Sequence, residues 1–240
     1  MKKIIKKINF TLCMLAALGM ISGAYAQAPD FIEKLNARPT EDRARDGARH
    51  PYQVMNLLGV EEGMTVLDIG SQTGWWTRVF DAAVGSNGTI IAQGADGGVR
   101  GGPPPASMVA MDNVEIVNGL EDINSNSVDV AVTALNTHHG NAERFVPYFE
   151  QIKNTLKPGG VLAVIDHIGD PAIDNSRLHR VPPADVREWI EAAGLEVVEE
   201  SNLMRNNADD HTLSANMGDR DAILGRNTDR FLFVARNPAM

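Results

Sequence analysis

Thr65-Val66-Leu67-Asp68-Ile69-Gly70-Ser71-Gln72-Thr73-Gly74-Trp75-Trp76-Thr77 decides the fold. The stretch opens as an apolar, β-branched run, meets an acid and a glycine, turns through small polar residues and leaves as a helix. Strand, glycine-bearing turn and helix, in that order, present backbone N–H groups to a ligand at the strand's carboxyl end. Gly70 and Gly74 reach backbone angles closed to other residues and, without a Cβ, allow close approach. A plain strand-to-helix connection has the same local pattern, so the surrounding chain must decide.

Downstream, the pattern alternates. A helix is predicted over Trp75 to Val84, and Gly85-Ser86-Asn87-Gly88 turns into a second strand, Thr89 to Ala92. Val114 to Val117 is a third strand, and Ser127 to Leu135 a fourth whose near-continuous apolar run suits burial on both faces. Phe145, Tyr148, Phe149, Ile152 and Leu156 recur at helical spacing, which predicts an amphipathic helix over Asn141 to Leu156. Lys157-Pro158-Gly159-Gly160 ends that helix ahead of a fifth strand, Val161 to Ile165. Pro183 to Ala193 is a further helix closed by Gly194, and Leu195 to Val198 and Phe231 to Ala235 are the last strands. Such alternation describes a doubly wound α/β sheet. Gly94 to Pro105, rich in Gly and Pro, is expected to be a loop over the site.

Upstream, Thr40 followed by Glu41-Asp42 predicts a capped helix start, and Pro51 to Leu58 a second helix. Arg38, Arg43, Arg45 and Arg49 alternate with Glu41, Asp42 and Asp46; these helices are expected to cover one end of the site, with the arginines forming a salt-bridged, solvated face in preference to the alternative of meeting an acidic ligand group. Residues 1–26 read as an export leader: Lys2, Lys3, Lys6 and Lys7, an apolar run from Phe10 to Met20, and Ala24-Tyr25-Ala26 as the cleavage site before Gln27. The apolar run is too short to span a bilayer. The division expected is therefore a leader at 1–26, a helical segment at 27–63 and an α/β domain at 64–240, in a periplasmic or secreted protein with no membrane attachment after cleavage.

The formal net charge is −9, and the leader's four lysines make the remainder more acidic still. That balance argues against nucleic acid as a partner, because phosphates are held by Lys and Arg. Cys13 is the one cysteine and falls inside the leader, so neither a disulfide framework nor thiol chemistry is expected after cleavage.

Val66-Leu67-Asp68-Ile69-Gly70 and Leu156-Lys157-Pro158-Gly159-Gly160 together resemble the class I S-adenosylmethionine-dependent methyltransferases. More narrowly, the chain resembles a group of exported bacterial methyltransferases. The shared features are Asp42-Arg43-Ala44-Arg45-Asp46, Asn136-Thr137-His138-His139, Asp166-His167, Leu178-His179-Arg180, Leu203-Met204-Arg205-Asn206 and Thr228-Asp229-Arg230-Phe231. The resemblance implies a seven-stranded, mostly parallel sheet with the last strand antiparallel, and S-adenosylmethionine at the strands' carboxyl ends. By the same resemblance Asp68, Gly70, Ser71, Gln72, Gly74, Gly94, Glu121, Asp122 and Asn136 are the candidate cofactor residues.

Three positions depart from the family pattern. Gln72 replaces the middle glycine of the turn, Gly94 falls where an acid grips the ribose hydroxyls, and Leu120 falls where an acid meets adenine. Asp96 is a nearby acid able to substitute for the second of these. A lost charge-assisted hydrogen bond costs about 1.5–3 kcal/mol.

The fourth and fifth strands deliver His138, His139 and Asp166 to the sheet's carboxyl edge, with one histidine as candidate general base and Asp166 orienting it. An equal alternative has one histidine capping the strand end and the other solvated. His138, His139, Asp166, His167 and His179 also form a donor set that zinc accepts, but no His-x-x-x-His or comparable spacing joins them and no metal is assigned. Two functions stand: a methyltransferase acting on a small molecule, and a non-catalytic binding protein on the same fold.

Overall fold

The computed structural model describes residues 27–95, 102–215 and 227–239. The expected leader and Asp96 lie outside them. Four helices, α1 (Phe31–Ala37), α2 (Thr40–Arg43), α3 (Asp46–Arg49) and α4 (Pro51–Leu57), precede β1 (Thr65–Ile69), α5 (Trp75–Val84) and β2 (Thr89–Gln93). Then come α6 (Ala106–Val109), β3 (Val114–Val117), β4 (Val128–Ala134), α7 (Ala142–Thr155) and β5 (Leu156–His167). The chain closes with α8 (Pro183–Ala192), β6 (Glu196–Ser201) and β7 (Arg230–Arg236).

The seven strands form one sheet in the order β3-β2-β1-β4-β5-β7-β6. β7 runs antiparallel to both β5 and β6, and the pairs from β3 through β5 are all parallel. The seven-stranded architecture is thus the one expected.

Alternate residues of each strand enter two apolar layers, as the period of a pleated strand requires. Val66, Ile90, Val130, Val132, Ala163 and Leu232 pack with Phe31, Leu35, Val54, Met55, Val79 and Phe80 on one face. Leu67, Ile69, Ala131, Leu162, Val164 and Phe233 pack with Phe145, Phe149, Ile152, Val186 and Ile190 on the other. The segment before β1 therefore shares the sheet's core.

Four details differ from expectation. Thr40 is the first residue of α2, after Pro39, and caps nothing with its side chain. β5 is longer at both ends: Gly159 N–H donates to Asn237 O (2.8 Å) and Asn237 N–H to Gly160 O (2.9 Å), so the Lys157–Gly160 stretch joins the strand. The pairing with β4 shifts register there, between Val128 and Val130. α6, a single turn, lies just after the Gly- and Pro-rich segment, at residues for which the sequence predicts no element. No helix among the described residues is long and apolar enough to cross a membrane.

Candidate cofactor cleft and histidine cluster

At the carboxyl end of β1, Asp68, Ile69, Gly70, Ser71, Gln72 and Thr73 face Arg45, Arg49, Trp75, Trp76, Ala134 and Leu135 across a cleft of about 90 Å3. A larger recess of about 510 Å3 opens on Ser86, Asn87, Gly88 and Thr89, at the amino-terminal end of β2.

Asp68 is buried and accepts the Thr77 hydroxyl at 2.6 Å. Burial raises its pKa from 3.8 to about 6, against the opposing effects of Thr77, Arg49 and Arg78. Ser71 is also buried; its N–H donates to Gln93 O at 2.9 Å, while its Oγ has no hydrogen-bond partner. Arg45 Nε is likewise buried without a partner. Two buried polar atoms left unpaired on one small cleft are costly, at about 1–3 kcal/mol each, and mark where a polar ligand belongs. Arg45 and Arg49 are thus part of the site, the ligand-facing alternative of the two open in the sequence, whereas Arg38 pairs with Asp46 at 2.6 Å. Their sign was legible, but their position depends on how α2 and α3 fold back over β1.

The remaining turn residues have distinct roles. Gly70 has φ +67 and donates to Gln93 Oε1 at 3.1 Å, and a Cβ there would press on the Asn136 amide. Asn136 in turn donates to Thr133 Oγ1 at 3.0 Å. Gly74 has φ +77, and a Cβ there would collide with Met108 Sδ from α6, so packing rather than ligand approach requires this glycine. Gln72 is exposed and keeps the left-handed backbone, φ +46, that a glycine would supply. Both tryptophans are buried and both border the cleft; Trp75 Nε1 donates to Asp42 O at 2.9 Å.

At the carboxyl end of β2, Gln93 Nε2 donates to Asn118 O at 2.7 Å, committing both ends of that amide. Among the described residues, a Cβ on Gly94 would meet Gly70 Cα at 3.8 Å and nothing nearer. Leu120 is buried in the second apolar layer. Glu121 and Asp122 are exposed, and Asp122 Oδ2 accepts Gly119 N–H at 3.1 Å.

The histidine cluster begins two residues after Asn136. Asp166 is fully buried and accepts four donors: Thr137 Oγ1 (2.7 Å), His138 N–H (3.1 Å), His138 Nδ1 (2.7 Å) and His167 N–H (2.7 Å). A carboxylate only accepts, so His138 Nδ1 carries the proton and its Nε2 bears the lone pair. The His138 ring lies 4.0 Å from that of His139 and 5.5 Å from that of His179. Partial burial, then the neighbouring His138 and His179, lower the pKa of His139. His167 turns away, its Nδ1 2.6 Å from Thr228 Oγ1.

A polar network backs this cluster. Arg180 is buried and donates to Asp209 Oδ1 (2.9 Å), Ile168 O (3.1 Å) and Leu213 O (2.9 Å). Asp229 accepts two bonds from Arg205 (2.8 and 3.0 Å) and pairs with His211 Nε2 (2.9 Å). Asn206 N–H also donates to Asp229 Oδ1, at 2.8 Å, and Asp209 Oδ2 accepts Asp229 N–H at 2.7 Å, so the 205–211 segment belongs to this network.

The sequence profile of the protein-L-isoaspartate(D-aspartate) O-methyltransferases matches residues 49–95, from Arg49 through the glycine turn to just past Gly94. None of the curated proteins matches the chain in sequence. Among solved structures, a SAM-dependent methyltransferase from Aquifex aeolicus superposes with a TM-score of 0.59 at 20% identity, over 86% of this chain and 98% of the other. The 1,6-didemethyltoxoflavin-N1-methyltransferase of Burkholderia thailandensis, solved with S-adenosylhomocysteine, gives 0.57 at 16% identity, over 87% and 86%. A "possible exported protein" from Bordetella parapertussis gives 0.54 at 15% identity, over 81% and 68%. The chain carries the class I methyltransferase fold, and its cleft lies at the carboxyl end of that fold's first strand.

Proposed function

We propose that the protein is an exported S-adenosylmethionine-dependent methyltransferase acting on a small-molecule acceptor. The observation that carries this reading is the zwitterion-shaped cleft: a buried acid, Asp68, opposite Arg45 and Arg49, with Ser71 Oγ and Arg45 Nε awaiting partners. An α-amino-acid head group presents the matching ammonium and carboxylate. Arg45 and Ser71 would take the carboxylate, and Asp68 the ammonium. Gly70, Gln72, Gly94 and Asn136 would border the rest of the cofactor, with Glu121 and Asp122 toward adenine and Gly74 keeping the turn in shape from behind.

S-adenosylmethionine supplies an electrophilic methyl group when bound. The chain's part is to hold the acceptor in line and to receive its proton. His138, oriented by Asp166, offers Nε2 for that proton, and His139 stands beside it as a second contact. Positioning provides most of the acceleration in such a transfer. The acidic surface and the toxoflavin-type relative favour a small molecule over nucleic acid.

The second reading, a binding protein that no longer takes the cofactor, is favoured by Gly94 and by the commitment of both ends of Gln93. Calorimetric titration with S-adenosylhomocysteine separates the two. Micromolar binding by the wild-type protein is expected. Binding only after Gln72→Gly and Gly94→Asp together would transfer the conclusion to the binding protein. Export is tested by the mass of the protein recovered outside the cytoplasm, which should begin at Gln27.

A further inference from the structure

We propose that His138, His139 and His179 form a binding site for a borderline-soft divalent cation, zinc foremost. One ring nitrogen from each lies within 4.8 Å of the others, and no further His, Asp or Glu among the described residues joins the group. Zinc bound by nitrogen at about 2.0–2.1 Å in a tetrahedron sets its donors roughly 3.4 Å apart. His139 is exposed, so its ring is free to swing inward by the remaining distance.

Two features distinguish the trio from a chance gathering of rings. First, Asp166 accepts from His138 Nδ1 at 2.7 Å, which fixes the tautomer and leaves Nε2 as the ring's lone-pair donor. This is the outer-shell carboxylate that metal-bound histidines regularly have. Asp166 is itself pinned by Thr137 and by the backbone of His138 and His167, so the orienting group is rigid. Second, His179 adopts φ +51, and the buried side chain of the next residue, Arg180, is tied to Asp209, Ile168 and Leu213. The ligands thus come from two turns, after β4 and after β5, each braced by its own network.

The donor chemistry selects the ion. Three imidazoles without a carboxylate in the group suit zinc or copper and leave calcium and magnesium, which take oxygen ligands, unserved. Three protein ligands also leave one tetrahedral position open, as catalytic rather than structural zinc sites do. Leu135 borders the cofactor cleft and Asn136 stands over Gly70, two residues before His138 in sequence, so the turn that carries the ligands adjoins the cleft. With an ion on Nε2, His138 would no longer take the acceptor's proton directly. The ion would instead acidify an acceptor O–H or N–H bound to it, as metals do for water, and the proton would leave to solvent.

Cobalt(II) titration of the purified protein, followed by its visible d–d bands and by zinc competition against a chromophoric chelator, tests the site. One equivalent of tight binding is expected in the wild type. His139→Ala changes an exposed residue and keeps the fold, and it should remove the cobalt bands. His179→Ala should weaken zinc by more than the roughly 10–100-fold typical of losing an outer-shell partner. His50→Asn, away from the cluster, should change nothing. Affinity for S-adenosylhomocysteine should be the same in His139→Ala as in the wild type, which keeps this site separate from the cofactor reading. Absence of stoichiometric metal binding in the wild type, or binding indifferent to His139 and His179, would overturn the proposal.

Discussion

Asp68 is a buried acid whose charge is held back until a ligand or a base draws it out. Its folded-state pKa of about 6 lies above the 3.8 of the free side chain. Between those values the native state holds a proton that the unfolded state has released, so stability is full below pH 3.8 and falls as pH rises through 6. At 1.36 kcal/mol per unit the loss is on the order of 3 kcal/mol. Asp68→Asn removes the titration. The stability of the wild type relative to this variant, from urea denaturation at a series of pH values, should therefore fall between pH 4 and 7. Parallel curves would show that the carboxyl is not buried as described. Asp68 stood out in the sequence because it ends an apolar run. The arginines opposite it did not, because a charge on a polar helix reads as solvated until the tertiary fold shows where it points.

At the scale of elements, α5 is held to the sheet by a turn in which shape matters more than chemistry. Gly74 starts the helix at φ +77, with Met108 of α6 against its Cα. Gly74→Ala should cost about 1–2 kcal/mol from the left-handed backbone alone, plus the steric conflict. Met108 is fully buried, and Met108→Ala should cost about 2–5 kcal/mol as a single change. The double variant should be less destabilised than the sum, with a coupling of about 0.5–3 kcal/mol in thermal or urea unfolding. Simple additivity would mean that α6 does not rest on the turn. The seven strands were legible because buried strands are continuous apolar runs cut by glycines and polar turns. α6 was not: four residues carry too little periodicity to register. Nor was the extension of β5, where Lys157–Gly160 has the composition of a turn but is drawn into the strand by Asn237.

Across the whole molecule, a buried polar network joins the segment after β6 to the ends of β5 and β7. Arg180 and Asp209 have side chains 0% and 1% exposed, so neither survives the loss of the other cheaply. Arg180→Met should destabilise the protein by about 3–5 kcal/mol, and adding Asp209→Leu should recover part of that, since a buried pair replaced together by apolar groups is often neutral. Calorimetric unfolding of the two variants checks both signs. The network also shows why the histidine cluster was only half legible. His138, His139 and Asp166 follow from where strands end, whereas His179 arrives by a turn whose course is set by Arg180, a residue buried against every sequence-based expectation for arginine.

The cleft at β1 as a seat for an amino-acid head group is tested most directly by comparing two ligands in one cycle. S-adenosylmethionine and its decarboxylated analogue would be titrated into the wild type and into Arg45→Ala. Loss of Arg45 should weaken S-adenosylmethionine by about 10–100-fold, the equivalent of one charge-assisted hydrogen bond, and leave the analogue's affinity unchanged. Equal losses for both ligands, or no binding of either by a folded wild-type protein, would contradict the assignment.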